Sequence, residues 1–186
     1  MKIIANYALC ALAFGLFSLA AAPASAHIVL EYQVAPASSY YKATFKVGHG
    51  CGLSPIRQIV VNIPPGVQGP KPMPKPGWSL EIAREKLATP YQDHGRTVTE
   101  EVSRITWTAR TRDDYLRNEW YDEFNLQAKL PATPGMLYWR VSQICEEGRI
   151  DWEQVPAAGQ TPKDLKAPAA ALEILPAAGG GGEHNH

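Results

Sequence analysis

The segment that decides the fold is residues 134–145, PGMLYWRVSQIC, where a Pro-Gly turn precedes a strictly alternating run. Every second residue from Leu137 to Cys145 would lie on one face of a strand, because successive side chains of an extended chain point to opposite sides. Similar alternation recurs, with turn residues between, in segments 41–47, 56–63, 78–82, 102–107, 124–130 and 149–155. About eight short strands of this kind predict an all-β, antiparallel β-sandwich, immunoglobulin- or cupredoxin-like in outline, in a single domain.

Four further segments complete this prediction. Residues 27–35 are expected to form one opening strand, and residues 171–175 a final one. Residues 69–77, GPKPMPKPG, hold four prolines that cannot join a central ladder, which predicts a stiff surface loop. Residues 113–122 are expected to be a helical turn or a loop.

The first 26 residues have the features of a secretory signal peptide. Lys2 is followed by an almost wholly apolar run over residues 3–22, and Ala24-Ser25-Ala26 supplies the small residues that signal peptidase accepts. An uncleaved membrane anchor is the alternative, because the run approaches spanning length. We expect cleavage before His27, with a domain at 27–176 and a flexible Gly/His tail at 177–186. The mature chain would be periplasmic or secreted and would not span the membrane.

The remaining charge and cysteine content fits an exported protein. The chain has 18 Lys and Arg against 18 Asp and Glu, so nothing favours nucleic acid or anionic lipid as a partner. Cys51 and Cys145 are the two cysteines after residue 26. In an oxidising compartment such a pair is most often a disulfide, whereas a thiolate metal site would need reduced sulfur. We therefore predict a Cys51–Cys145 disulfide.

Cleavage before His27 would create a chelating group at the new N-terminus. The free α-amine and the imidazole Nδ1 of one histidine can hold the same metal ion in a small ring. Nitrogen donors suit copper(II), which lies at the top of the divalent affinity order. The amine proton is displaceable near neutral pH, because the ordinary pKa of an α-amine is about 8. A histidine left by signal peptidase without any role is the alternative interpretation.

Several short motifs of this chain together resemble the YcnI-like domain family of exported bacterial copper proteins. The similarity extends over roughly residues 27–176, and its specificity comes from the order and spacing of motifs that are individually weak. Those motifs are His27-Ile-Val-Leu, Tyr40-Tyr41-Lys42, Pro74-Lys-Pro-Gly-Trp78, Asp122-Glu123-Phe124 and Asp151-Trp152. The resemblance implies a β-sandwich and a copper(II) site built on a single-histidine brace, in which the N-terminal histidine gives amine and imidazole, a glutamate gives oxygen and a tryptophan lies beside the metal.

The resemblance assigns these roles to particular residues of this chain. His27 matches the family histidine and Trp152 the family tryptophan, although core packing is the ordinary role of a tryptophan on an apolar face. Glu123 and Glu31 are both candidates for the oxygen donor. We prefer Glu123, because Glu31 lies on the strand of His27 with its Cα about 13 Å away. The ordinary role of either glutamate is a solvated strand charge.

The other histidines are weaker candidates. His49 and His94 could each supply a second imidazole, but nothing in their spacing joins them to His27, and His49 is expected to be a loop residue. His184 and His186 could bind metal loosely in the tail.

Three classes of function remain to be compared. An enzyme is not expected, since the chain lacks a placed second histidine and the Gly-x-Ser-x-Gly, Cys-x-x-Cys and HExxH motifs. A copper(II) carrier in copper homeostasis, delivering to another extracytoplasmic copper protein, is the preferred prediction. Copper(I) is disfavoured, because Met73 and Met136 are the only thioethers after residue 26. The alternative is a metal-free extracytoplasmic interaction module.

Overall fold

Residues 27–177, which the computed structural model describes, form eleven strands that alternate between buried and exposed side chains. The predicted signal peptide and the tail beyond residue 177 lie outside the described residues. In chain order the strands are β1 (Val29–Leu30), β2 (Val34–Pro36), β3 (Tyr40–Val47), β4 (Ile56–Asn62), β5 (Gln68–Pro72), β6 (Trp78–Asp93), β7 (Arg96–Ala109), β8 (Asp122–Lys129), β9 (Gly135–Cys145), β10 (Arg149–Trp152) and β11 (Ala170–Leu175).

The strands form two sheets that face each other across an apolar core. One sheet has the order β1-β3-β8-β5, and the other has the order β2-β11-β9-β4-β7-β6, with β10 paired to β9 beside β11. The described pairings are antiparallel except that of β11 with β2. The predicted β-sandwich is therefore confirmed.

Aromatic side chains fill the centre of the core. Trp107 and Trp139 are fully buried, and Phe45 and Phe124 pack edge-to-face against tryptophan rings at centroid distances of 5.0 to 5.7 Å. Burying a side chain of this size stabilises the fold by about 1.5–3 kcal/mol. These rings join the two sheets, because Phe45 and Phe124 belong to one sheet and the tryptophans to the other.

The opening segment and the proline-rich segment differ from the prediction. The opening segment is split, so that β1 pairs with β3 in one sheet while β2 pairs with β11 in the other. The hydroxyl of Tyr41 donates to the carbonyl of Tyr32 at 2.5 Å, at the point where the chain crosses between sheets. The proline-rich segment is not entirely a loop, because β5 pairs with β8. Proline is tolerated there since β5 is an edge strand, whose solvent-facing side has no neighbouring strand that needs an amide donor.

The middle of the chain forms a longer hairpin than the alternation predicts. β6 and β7 pair from Trp78↔Ala109 to Asp93↔Arg96, well beyond the core. The carboxylate of Glu101 anchors this hairpin by accepting from the Tyr91 hydroxyl at 2.6 Å and the Gly69 amide at 2.8 Å. Segment 113–122 was expected to be a helical turn or a loop. It begins within a single 3-10 turn, Arg112–Asp114. Among residues 27–177, no helix is long and apolar enough to cross a membrane.

The predicted disulfide is present. Cys51 and Cys145 are bonded and join the loop after β3 to the end of β9. This covalent link holds the loop that carries His49 against the second sheet.

Candidate metal site

His27 lies at the open edge of the four-stranded sheet, just before β1 begins. The pairing Val29↔Lys46 holds this part of the chain against β3. The side chain is half-buried, and its ring centroid is 5.5 Å from that of Trp152, with the two planes tilted by 57°. Because Trp152 belongs to β10 of the other sheet, the contact bridges the two sheets at their edges.

Trp152 is held in a fixed orientation by a buried amide. The residue ends β10 on the inward face and is only 3% exposed. Its indole Nε1 donates to Oε1 of Gln143 at 3.0 Å, and Nε2 of Gln143 donates to the carbonyl of His49 at 2.8 Å. Gln143 is 1% exposed, so its amide satisfies buried groups on both sides. The indole, the amide and the His49 backbone therefore form one connected unit.

His49 is brought to the same indole as His27. Its ring centroid is 6.3 Å from that of Trp152, in an edge-to-face arrangement with an interplanar angle of 73°. Nδ1 of His49 lies 2.6 Å from the carbonyl of Gly50. A carbonyl can only accept, so Nδ1 is the donor, and the neutral ring then keeps its lone pair on Nε2.

The two candidate glutamates lie on the outer face of the four-stranded sheet. Lys46, which is paired in register with Glu123, forms a salt bridge of 2.7 Å with Glu31. The hydrogen bond to Glu31 is the main cause that raises the pKa of Lys46. Glu123 accepts a hydrogen bond from the Tyr121 hydroxyl, which is the main cause that raises the pKa of Tyr121 to about 12. Each carboxylate therefore has one oxygen bound to a neighbouring side chain.

The donor set of this edge decides which kind of metal site it could form. Within residues 27–177, no group of three or more His, Cys, Asp and Glu side chains is placed to hold a metal ion. Side chains alone therefore do not build a site in the described part of the chain. His27 can add a donor only through its backbone nitrogen, which becomes an amine when the preceding peptide bond is cleaved. An amine and an imidazole nitrogen from His27 would be donors that fit copper(II).

The remaining sequence candidates lie elsewhere. His94 is 84% exposed by side chain, in the turn between β6 and β7. Trp78, Trp107 and Trp139 are core residues, whereas Trp120 is exposed beneath the guanidinium of Arg117. His184 and His186 lie outside the described residues.

Sequence reasoning overlooked one residue of this unit. Gln143 is a polar residue on the otherwise apolar inward face of β9. A polar residue among the apolar inward positions of β9 could have indicated this role, because a buried amide needs hydrogen-bond partners.

Comparisons with known proteins add the family and the fold class. The model of the family described as "Domain of unknown function (DUF1775)" matches residues 27–174. A solved structure of an uncharacterized protein from Nocardia farcinica, described as having an immunoglobulin-like fold, superposes with a TM-score of 0.62 at 21% sequence identity. The match covers 80% of this chain and 97% of that one, which confirms an immunoglobulin-like sandwich. No curated protein matches the sequence.

Proposed function

This chain belongs to the DUF1775 family, and we propose that it is an exported copper(II)-binding protein that carries copper on its N-terminal histidine. The observation that carries this proposal is the contact of the His27 ring with the buried indole of Trp152, at 5.5 Å. These are the two residues that the resemblance to YcnI-like copper proteins assigns to the metal. Their contact across two sheets supports that resemblance.

His27 would hold the ion through its α-amine and its imidazole Nδ1 once the signal peptide is removed. Both donors come from one residue, so little conformational entropy is lost on binding beyond one side chain. The nitrogen donors suit copper(II), and the chain offers no thioether cluster for copper(I). Export would thus create the site, and metal would be acquired outside the cytoplasm, where the Cys51–Cys145 disulfide also persists.

Trp152 would form the wall behind the ion. A cation over an indole face gains roughly 0.5–2 kcal/mol, and the bond to Gln143 keeps the ring from turning away. His27 is only partly buried, so a partner can reach an ion held there. Such partial exposure suits release of the ion to a partner, as a carrier requires.

Titration of copper(II) into the processed chain tests this proposal. His184 and His186 are first replaced by asparagine, so that the tail cannot contribute imidazoles. We expect one equivalent to bind, with an EPR spectrum of mixed nitrogen and oxygen ligation. Absence of binding would contradict the proposal and favour the metal-free interaction module. Consumption of oxygen by the loaded protein with ascorbate would favour an enzyme instead.

A pair of glutamate substitutions identifies the oxygen donor. We expect Glu123→Gln to weaken copper(II) binding by about tenfold or more, while Glu31→Gln has a smaller effect. The expectation for Glu123 follows the sequence-based preference. In the structure β3 lies between β8 and β1, so the Glu123 carboxylate would have to reach across Lys46, while Glu31 would have to reach back along its own strand. Each variant serves as the control for the other, since both residues lie beside Lys46. A larger loss for Glu31→Gln would reverse the assignment.

A further inference from the structure

Two imidazole rings share the indole of Trp152. The His27 centroid lies 5.5 Å from it and the His49 centroid 6.3 Å. The two histidines come from the two ends of the β1–β3 segment, which the register Val29↔Lys46 places side by side. This pairing lies two residues after His27 and three residues before His49. A metal held by His27 would therefore lie close to the His49 loop.

The hydrogen bonds of His49 suit a metal ligand. Nδ1 lies 2.6 Å from the carbonyl of Gly50 and donates its proton there, which leaves the lone pair on Nε2. Histidines that bind metals almost always donate the other ring N–H to a carbonyl or carboxylate in this way. The glutamates already have partners, whereas His49 Nε2 has no hydrogen-bond partner in the described part of the chain.

The loop around His49 is fixed more firmly than an ordinary surface loop. The carbonyl of His49 accepts from Gln143 at 2.8 Å, and the amide of Gly50 donates to Oδ1 of Asn118 at 3.1 Å. The disulfide of Cys51 anchors the next turn. Gly50 itself is tightly enclosed, because a Cβ at this position would lie 1.9 Å from the carbonyl oxygen of Ser54. The ring is thus held in place before any metal binds.

We propose that His49 supplies a second imidazole, through Nε2, to the copper(II) ion held by His27. This inference rests on the proposed function, because it needs copper at the N-terminal histidine. The site would then have three nitrogen donors, two from His27 and one from His49, with Trp152 as its wall. The oxygen donor would complete the coordination without being the principal source of affinity.

Pulsed EPR of the copper(II)-loaded protein tests this inference, because it counts equatorial imidazoles. With the tail histidines replaced, we expect two imidazoles in the processed protein and one in the His49→Asn variant. We also expect that variant to bind copper(II) roughly 10–100-fold more weakly. His94→Asn is the matched control and should change neither value, since asparagine tolerates the φ of 46° at that turn.

The outcomes separate this inference from the proposed function. If the processed protein with its tail histidines replaced binds no copper(II), the proposed function fails. If it binds one equivalent with a single imidazole, the proposed function stands and the role of His49 is overturned. That second result needs no substitution at His49, so it holds even if His49→Asn disturbs the loop. Thermal unfolding of the metal-free variants measures any such disturbance.

Discussion

Retention of four residues, Pro23-Ala24-Ser25-Ala26, before His27 is expected to weaken copper(II) binding by roughly 10²–10⁴-fold. The extension converts the amine of His27 into a peptide nitrogen, and four residues place the new α-amine too far along the chain to chelate copper(II) together with the His27 imidazole. The imidazole then binds alone and loses the advantage of a second donor on the same residue. The measurement is a competition titration of the processed and extended proteins against a chelator of known affinity.

The fold provides the control for this comparison. β1 starts at Val29, two residues after His27, so residues added before His27 leave every described strand pairing in place. Thermal unfolding of the two metal-free proteins should therefore coincide. Equal affinity in the extended protein would show that the α-amine is not a ligand.

Replacing Cys51 and Cys145 together by serine is expected to lower the free energy of unfolding by about 4–5 kcal/mol. The two residues are separated by 94 positions, so the disulfide removes much chain entropy from the unfolded state. The variant also frees the loop that holds His49 against β9. We therefore expect copper(II) affinity to fall in the direction of the His49→Asn variant, while the His27 chelate remains.

Reduction of the unsubstituted protein supplies the matched control. The chain after residue 26 has no other cysteine, so the reduced protein differs from the oxidised one only in this bond. Urea denaturation of the oxidised, reduced and double-serine proteins should place the last two together and well below the first. Three coincident transitions would mean that the bond contributes nothing to stability.

The strands of the core could be predicted because their burial alternates. β9 is the clearest example, with Trp139 and Val141 inward and Arg140 outward. The outer part of the β6–β7 hairpin could not be predicted in this way. Its residues are exposed on both faces, so apolar and polar residues do not alternate along it. The edge strand β5 was missed because proline excludes central strands but is tolerated at an edge.

Only part of the candidate site could be predicted from the sequence. His27 could be proposed as a ligand from the predicted cleavage site, because the chelating chemistry of a first residue depends only on local sequence. Its contact with Trp152 was implied by a resemblance and not by spacing, since the two residues belong to different sheets. The place of His49 beside the same indole depends on Gln143 and the disulfide, which are long-range contacts.

The proposed function requires that the first residue of the processed chain hold copper(II) against the Trp152 indole. A crystal structure of the processed protein loaded with one equivalent of copper(II), with anomalous data at the copper edge, tests this most directly. We predict a single anomalous peak bonded to the α-amine and Nδ1 of His27, beside the indole of Trp152. A peak anywhere else, with the His27 amine free, would contradict it.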